Sequence, residues 1–510
     1  MISQIFLRIM GAVIGLVIAL PVKPLLAEQL VPSQATMSVT STMSVTSAMS
    51  VTSAMSATNT ISLSQQTIDI TLGDAIYLGL RNNRSIRSAY LDRIAQKFDL
   101  RVAEDRFTPK LLLNSRYAVV RNQSDRYRQS EIMPTSTMLG EYGTQFSLSW
   151  TSRTTWANNA GRNRNDGVSF SVIQPLLKGA GKDVATAPVR LAQMMEQINR
   201  LNLKATVSQT ITQVIMAYRE LLRAQEQLQI ARDALERSRQ LLEVNKAMIA
   251  AGRMAAFEIV QTEAEVAMQE LAAEEAANQL DTSRLELLRL LALDLQTQVK
   301  ATDRLEAKRI DINLLQAQHL AQEHQPSYLT QLITAEQAAI NLIVARNDRL
   351  WDVSLVGRTS QVRDRTGSNS SRNWENYAGV QVEIPIGDLS QRQAEVRAQV
   401  DVQNQDIRLT EAKQSLERDV GNAARDIGTR WRQYEIAQRA LDLSRRKLEI
   451  EREKLTVGRS SNFQVLSFET DLRNAENVRL NALIAYLNAQ AELDETLGTT
   501  LGSWDIALND

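Results

Sequence analysis

Val207, Val214, Leu221, Leu228, Leu235 and Leu242 stand seven residues apart. That interval is the heptad of helices that wind left-handed around one another. A shift of 206 residues lands on Lys413, Val420, Ile427, Tyr434, Leu441 and Leu448, apolar at all but the first. The pattern predicts two long packed helices. The first, from about Val184 to Ile249, is roughly 100 Å long at 1.5 Å per residue, far beyond an ordinary globular helix. Each stretch runs into a copy of one signature, AGRMAAFEIVQTE at Ala251–Glu263 and VGRSSNFQVLSFE at Val457–Glu469. Gly252 and Gly458 supply the backbone freedom that a tight reversal needs. Return helices are predicted from Phe257 to about Leu293 and from Phe463 to about Leu497. Each signature is thus predicted to be the tip of a long antiparallel helical hairpin.

Between the helical stretches the period changes from 3.5 to 2. FSLSW alternates Phe146, Leu148 and Trp150 with serines, and VSFSVIQP alternates Val168, Phe170 and Val172 with Ser169 and Ser171. WDVSLVG carries Val353 and Leu355 around Ser354, and GVQVEIP alternates Val380, Val382 and Ile384 with Gln381 and Glu383. One apolar and one polar face is the strand signature. Pro175 and Pro385 close equivalent strands. The polar stretches Asn122–Thr144 and Ser152–Asp166 read as loops.

These segments belong to two copies of one unit. ITLGDAIYLGLRNN at Ile70 aligns with INLLQAQHLAQEHQ at Ile312 at an offset of 242, whereas the glycine signatures align at 206. The first copy therefore carries about 36 extra residues in its middle. The expected organisation is residues 70–300 for the first helix–strand–strand–helix repeat and 301–510 for the second.

The N-terminus changes the setting. Ile9 to Leu20 is an uncharged run of twelve behind Arg8. As a helix it reaches about 18 Å, short of the ~30 Å hydrocarbon core. Residues 1–27 read as a cleaved export signal, with the cut after Ala27. Residues 28–69 read as a disordered linker, because the MSVTST-type repeats at 37–58 hold too little apolar surface to offset chain entropy. In an exported chain, alternating strands flanked by Trp150, Trp156, Trp351 and Trp374 favour a membrane β-barrel over a soluble sheet with one wet face. Four strands cannot close on themselves, and open edges are not tolerated in lipid. The barrel must be completed by further copies, and closed symmetry makes a homo-oligomer the natural solution.

TLGDAIYLGLRNN, the SFSVIQPLLKGAG joint, VQVEIPIGD and the paired GRMAAFEIV and GRSSNFQVL tips resemble the outer-membrane efflux protein family, the TolC-like channel-tunnels. The resemblance covers about residues 70–502. It implies a mainly α fold with membrane β. Antiparallel coiled-coil helices form a periplasmic α-barrel, and four strands per chain contribute to a trimeric twelve-stranded barrel. It also implies partners: a periplasmic adaptor protein, an inner-membrane transporter and outer-membrane lipid.

Composition narrows the chemistry. The net charge is zero and cysteine is absent, which removes an obvious polyanionic partner such as nucleic acid, a disulfide framework and a thiolate site. The two histidines, His319 and His324, are five apart and share no helical face, so they found no zinc or Ser-His arrangement. GAGKD at Gly179–Asp183 lacks both the first glycine of a phosphate loop, where Leu176 stands, and the Ser or Thr after Lys182. It reads as a flexible strand-to-helix joint. No catalytic, cofactor or metal site is expected.

The candidate functional positions lie at the tips: Gly252, Arg253, Phe257, Glu258 and Glu263 in the first copy, Gly458, Arg459, Phe463, Gln464, Ser467 and Glu469 in the second. The resemblance implies carboxylate rings at this entrance. This chain has Glu258 in one copy but Gln464 and Ser467 in the other. Glu263 and Glu469 either supply the charge or pair with Arg253 and Arg459; pairing is the favoured expectation. Phe257 and Phe463 either anchor the tip by packing or contact a partner. Ser169, Ser171, Gln381 and Glu383 are expected to line the barrel lumen. The function expected is an outer-membrane exit duct passing small molecules or proteins from an inner-membrane transporter. The alternative is a secreted or periplasmic coiled-coil scaffold or adaptor without a pore.

Overall fold

The computed structural model describes residues 67–121, 126–158 and 161–508. The export signal and most of the linker fall outside them. Strand β1 (Ile68–Ile70) leads into helices α1 (Leu72–Asn82) and α2 (Arg84–Glu104), then strands β2 (Lys110–Arg121), β3 (Arg126–Leu139), β4 (Gln145–Ala157) and β5 (Gly161–Pro175). Helices α3 (Ala187–Ala250) and α4 (Glu258–Leu290) and strand β6 (Val299–Ala301) follow. The second pass contains α5 (Leu314–His324), α6 (Pro326–Asp348), β7 (Asp352–Thr366), β8 (Asn369–Glu383), α7 (Ser390–Thr456) and α8 (Asn462–Leu497). None of the described helices is long and apolar enough to cross a membrane.

The aligned copies begin alike for a local reason. Thr71 caps α1 in a reciprocal capping box with Asp74, and Asn313 caps α5 by accepting from the Leu315 and Gln316 amides. The long helices have 64 and 67 residues, about 96 and 100 Å. Val207, Val214 and Leu221 are buried in the first, and Val420, Ile427, Leu441 and Leu448 in the second. The core is therefore a seam rather than a ball. At mid-length Tyr218 is fully buried, and its hydroxyl lies within hydrogen-bond distance of two acceptors, the Ile70 carbonyl at 2.9 Å and the Asp303 carboxylate at 2.7 Å. This ties α3 to the small parallel pair β1–β6.

All remaining strands form one antiparallel sheet in the order β2-β3-β4-β5-β7-β8. Among the described residues six strands stand in this sheet where alternation predicted four, and segments expected to be loops are strands. By the 242-residue offset β7 matches β2, and Pro175 and Pro385 match β5 with β8, so β3 and β4 are the insertion. They account for the drop in offset. The far half of β3, Arg126–Glu131, is polar on both faces, so no apolar face marked it, whereas β4 showed through Phe146, Leu148 and Trp150. In β2 the run Leu111–Leu113 breaks period two.

The inserted hairpin is fixed at the helical end of the sheet. Gly143, in the β3–β4 turn, has φ +85°, and a Cβ there would meet the Gly179 carbonyl oxygen at 2.2 Å. Gly179 lies in the strand-to-helix joint, where its amide donates to Asn347 Oδ1 at 2.6 Å. Lys182 and Glu141 pair at 3.1 Å, and the Thr144 hydroxyl donates to Gln174. The joint reading of GAGKD holds: Gly181 precedes a short helix at Lys182–Ala185.

Candidate functional site

The sheet sorts its side chains by register. Ser169 stands opposite Ser360, which stands opposite Glu375; Ser171 stands opposite Arg358, and Arg358 opposite Tyr377. Gln381 faces Ser354 and Glu383 faces Asp352. In an antiparallel ladder opposite residues share a face, so Ser169, Ser171, Gln381 and Glu383 lie on one side of the sheet. Ser147 and Ser149 of the inserted hairpin join them. The other side carries Phe146, Leu148 and Trp150 against Val172, Phe170 and Val168, continued by Leu355 and Val380. The insertion thus obeys the same apolar/polar division as its neighbours. β2 and β8 are the two ends of the sheet, each with one unpaired edge among the described residues.

At the opposite end of the long helices the two tips share one turn. Gly252 and Gly458 have φ of +70° and +73°. Arg253 N donates to Met248 O at 2.9 Å and Gly252 N to Ile249 O at 2.9 Å; Arg459 N donates to Lys454 O at 2.9 Å and Gly458 N to Leu455 O at 3.0 Å. Each is a Schellman ending, with glycine in the left-handed position that the motif requires. The tips then diverge. Ser461 caps α8 by accepting from the Gln464 amide, whereas Phe257 heads α4 with no side-chain cap. The Arg253 guanidinium donates to the Thr456 carbonyl at 3.0 Å, which binds the first tip to the second.

Phe257 and Phe463 are 76% and 67% exposed, so neither packs into the tip of its own chain. Arg459, Gln464, Ser467 and Glu263 are exposed as well, and Glu258 is half-buried. The expected pairing of Glu469 with Arg459 does not occur. The Glu469 side chain is 7% exposed and held by Arg237 of α3 at 3.0 Å and by Arg452 of α7. Arg237 also reaches Glu476 at 3.5 Å. Glu469 points inward two turns into α8, while Arg459 sits on the exposed loop. Arg253 is engaged by the Thr456 carbonyl rather than by Glu263. Burial pushes the Glu476 carboxyl above its ordinary range, with Arg237 and Arg445 pulling the other way.

Beneath the tips lies a buried polar cluster that heptad reading passes over. Asn245 of α3 donates to Thr262 of α4 at 2.8 Å and to Asn462 of α8 at 2.8 Å, and Asn462 donates back to Thr262 at 3.0 Å. All three are essentially buried. A polar side chain in a coiled-coil seam fixes register at a cost in stability, so the cluster fixes the alignment of both hairpins just below their turns. The signal was available: Asn245 follows Leu241 and Ser238 along the buried seam.

Elsewhere, His319 lies beside Glu323 on the surface and His324 contacts the Leu320 carbonyl. Among the described residues no group of three or more His, Cys, Asp or Glu is placed to hold a metal ion.

No protein-family model matches the chain, and no curated protein matches it either. Solved structures do. The chain is similar to the CmeC outer membrane channel of Campylobacter jejuni, with 15% identity over 84% of this chain and 86% of that one, at a TM-score of 0.64. It is similar to the outer membrane protein VceC of Vibrio cholerae, with 14% identity over 84% and 96% and a TM-score of 0.65. The open state of the MtrE outer membrane channel of Neisseria gonorrhoeae gives 16% identity, 84% and 89% coverage and a TM-score of 0.62. The chain has the fold of these channels.

Proposed function

We propose that copies of this chain assemble into an exit duct of an outer membrane, the sheets closing into a barrel and the helical hairpins into a tunnel beneath it. One observation carries the reading. A sheet with one apolar face, one polar face and two unpaired edges is joined to helical hairpins about 100 Å long. In lipid an open edge exposes backbone groups that nothing satisfies, so β8 of one copy pairs with β2 of the next. The polar face, with Ser169, Ser171, Gln381 and Glu383, then lines a wet lumen. Three copies, the number the family resemblance implies, give eighteen strands rather than twelve. The fold of the solved outer membrane channels supports the same reading.

The duct performs no chemistry. An inner-membrane transporter drives cargo, small molecules or proteins, through it, and an adaptor protein meets the tips. The exposed Phe257 and Phe463 fit an adaptor contact better than an internal anchor. The tips form the entrance, with Glu258 in one hairpin and Gln464 at the matching place in the other.

Fractionation, crosslinking and planar-bilayer recording test the proposal together. The duct predicts a detergent-requiring protein of the outer membrane that crosslinks as a trimer and conducts ions. A protein recovered without detergent, silent in bilayers, refutes it and favours a soluble coiled-coil scaffold.

A further inference from the structure

The outward face of the sheet changes character abruptly along the strands. One register row reads Leu113, Pro134, Trp150, Val168, Gln361 and Trp374. Trp374 is 73% exposed. On the helix side of this row the face is largely apolar. In the next three rows away from the helices, the same face carries Arg128, Arg162, Arg164, Arg363, Arg365 and Arg372, against one carboxylate, Asp166. The inward face at those heights carries Arg116 and Arg153 against Glu131 and Asp364. The inner face is balanced, while the outer face holds six guanidinium groups to one acid.

We propose that this outward arginine belt binds the phosphate groups of the phosphorylated glycolipid of the outer leaflet. The inference rests on the exit-duct reading. Tryptophans at the edge of an apolar band mark the membrane–water boundary. The arginine rows lie two, four and six residues beyond it, about 7–20 Å along the strands, and less along the membrane normal once strands tilt. That is the depth of lipid headgroups. Guanidinium groups bind phosphate in a bidentate manner and are weakly hydrated, so they suit a crowded polyanionic surface. Arg162 also lies over the Trp156 ring at 5.9 Å, a cation–π contact within the outermost of these rows. Cargo is not the partner of this belt, because its arginines share the face of Phe170 and Trp150 rather than that of Ser169.

The test uses the full-length assembled protein in mild detergent, with bis-phosphorylated lipid A as the probe and native mass spectrometry as the readout. The expected result is retention of lipid A by the wild type, at least tenfold weaker retention by R128Q/R363Q/R365Q/R372Q, and wild-type retention by the inward variant R116Q/R358Q. Dephosphorylated lipid A and phosphatidylglycerol are expected to bind at least tenfold less. If the quadruple variant does not assemble, the double variant R365Q/R372Q replaces it, with a severalfold loss expected. Equal retention by outward-variant and wild-type proteins overturns the belt. So does an equal loss in the inward variant, or equal competition by phosphatidylglycerol. Recovery of the protein without detergent is a separate outcome and overturns the duct itself.

Discussion

Glu469→Gln removes the carboxylate that joins the two hairpins of the chain. In the wild type it accepts from Arg237 on α3 and from Arg452 on α7, and it is almost fully shielded from water. Charge-assisted hydrogen bonds of this kind contribute about 1.5–3 kcal/mol each when one partner is ionised. Arg452 is partly exposed and Arg237 keeps Glu476, so part of the loss is recovered; glutamine also keeps one neutral acceptor. The net cost is about 2 kcal/mol, which converts to roughly a thirtyfold shift in a two-state opening at 1.4 kcal/mol per tenfold. The opening in question is separation of the start of α8 from α3. Hydrogen exchange of residues 462–476 is expected to quicken by about that factor, and the leak current in bilayers to rise with it. A double-mutant cycle with Arg237→Gln isolates the pair from general damage. Unchanged exchange and unchanged leak in Glu469→Gln would refute the view that this bridge holds the entrance.

Gly252→Ala and Gly458→Ala meet no atoms within 4 Å, so only the left-handed backbone resists them; a loss of about 1 kcal/mol each is expected in thermal unfolding. Gly143→Val adds a 2.2 Å collision with the Gly179 carbonyl to the same backbone cost, and heat-stable oligomer on unboiled gels should be lost. Phe463→Ala should leave oligomer stability unchanged while reducing adaptor crosslinking; a destabilised oligomer would return the ring to a packing role. Burial raises the Glu476 carboxyl above its reference of 4.5, so the folded state holds the proton more tightly. Its contribution is full below that reference and lost as pH rises through the raised value. Glu476→Gln should flatten the stability profile in that window, and a profile unchanged by the substitution would remove this cause.

How far the fold could be read in advance depended on whether burial left a period in the sequence. Val207 to Leu228 face a neighbouring helix at every seventh position, and that repeat declared the long helices. Gly252 and Gly458 declared the tips, because a Schellman ending tolerates little else. β4, β5, β7 and β8 showed through Phe146, Val168, Leu355 and Val380, which alternate toward one side. β3 did not, because its two faces are nearly equally polar beyond Ile132. The tips were located but their bonds were misread. Glu469 lies ten residues after Arg459 yet pairs with Arg237, 232 residues earlier, and only packing of α8 on α3 makes them neighbours. Asn245 was missed because it lies off the heptad from Val207 to Leu242, although Ser238 and Leu241 lead to it along the same buried seam.

The inserted hairpin also bears on what limits cargo size. Six strands about 4.8 Å apart, tilted near 40°, take up about 38 Å of circumference per copy. The four long helices α3, α4, α7 and α8, spaced about 9 Å apart, take up about 36 Å. The two halves are nearly equal in girth, whereas four strands would take up about 25 Å and pinch the outer half to a funnel. In the proposed three-copy duct, β3 and β4 in the wall would give a pipe of constant bore, about 36 Å across its backbone. In that duct size selection would fall to the hairpin tips alone, since anything they admitted would meet no second waist on its way out.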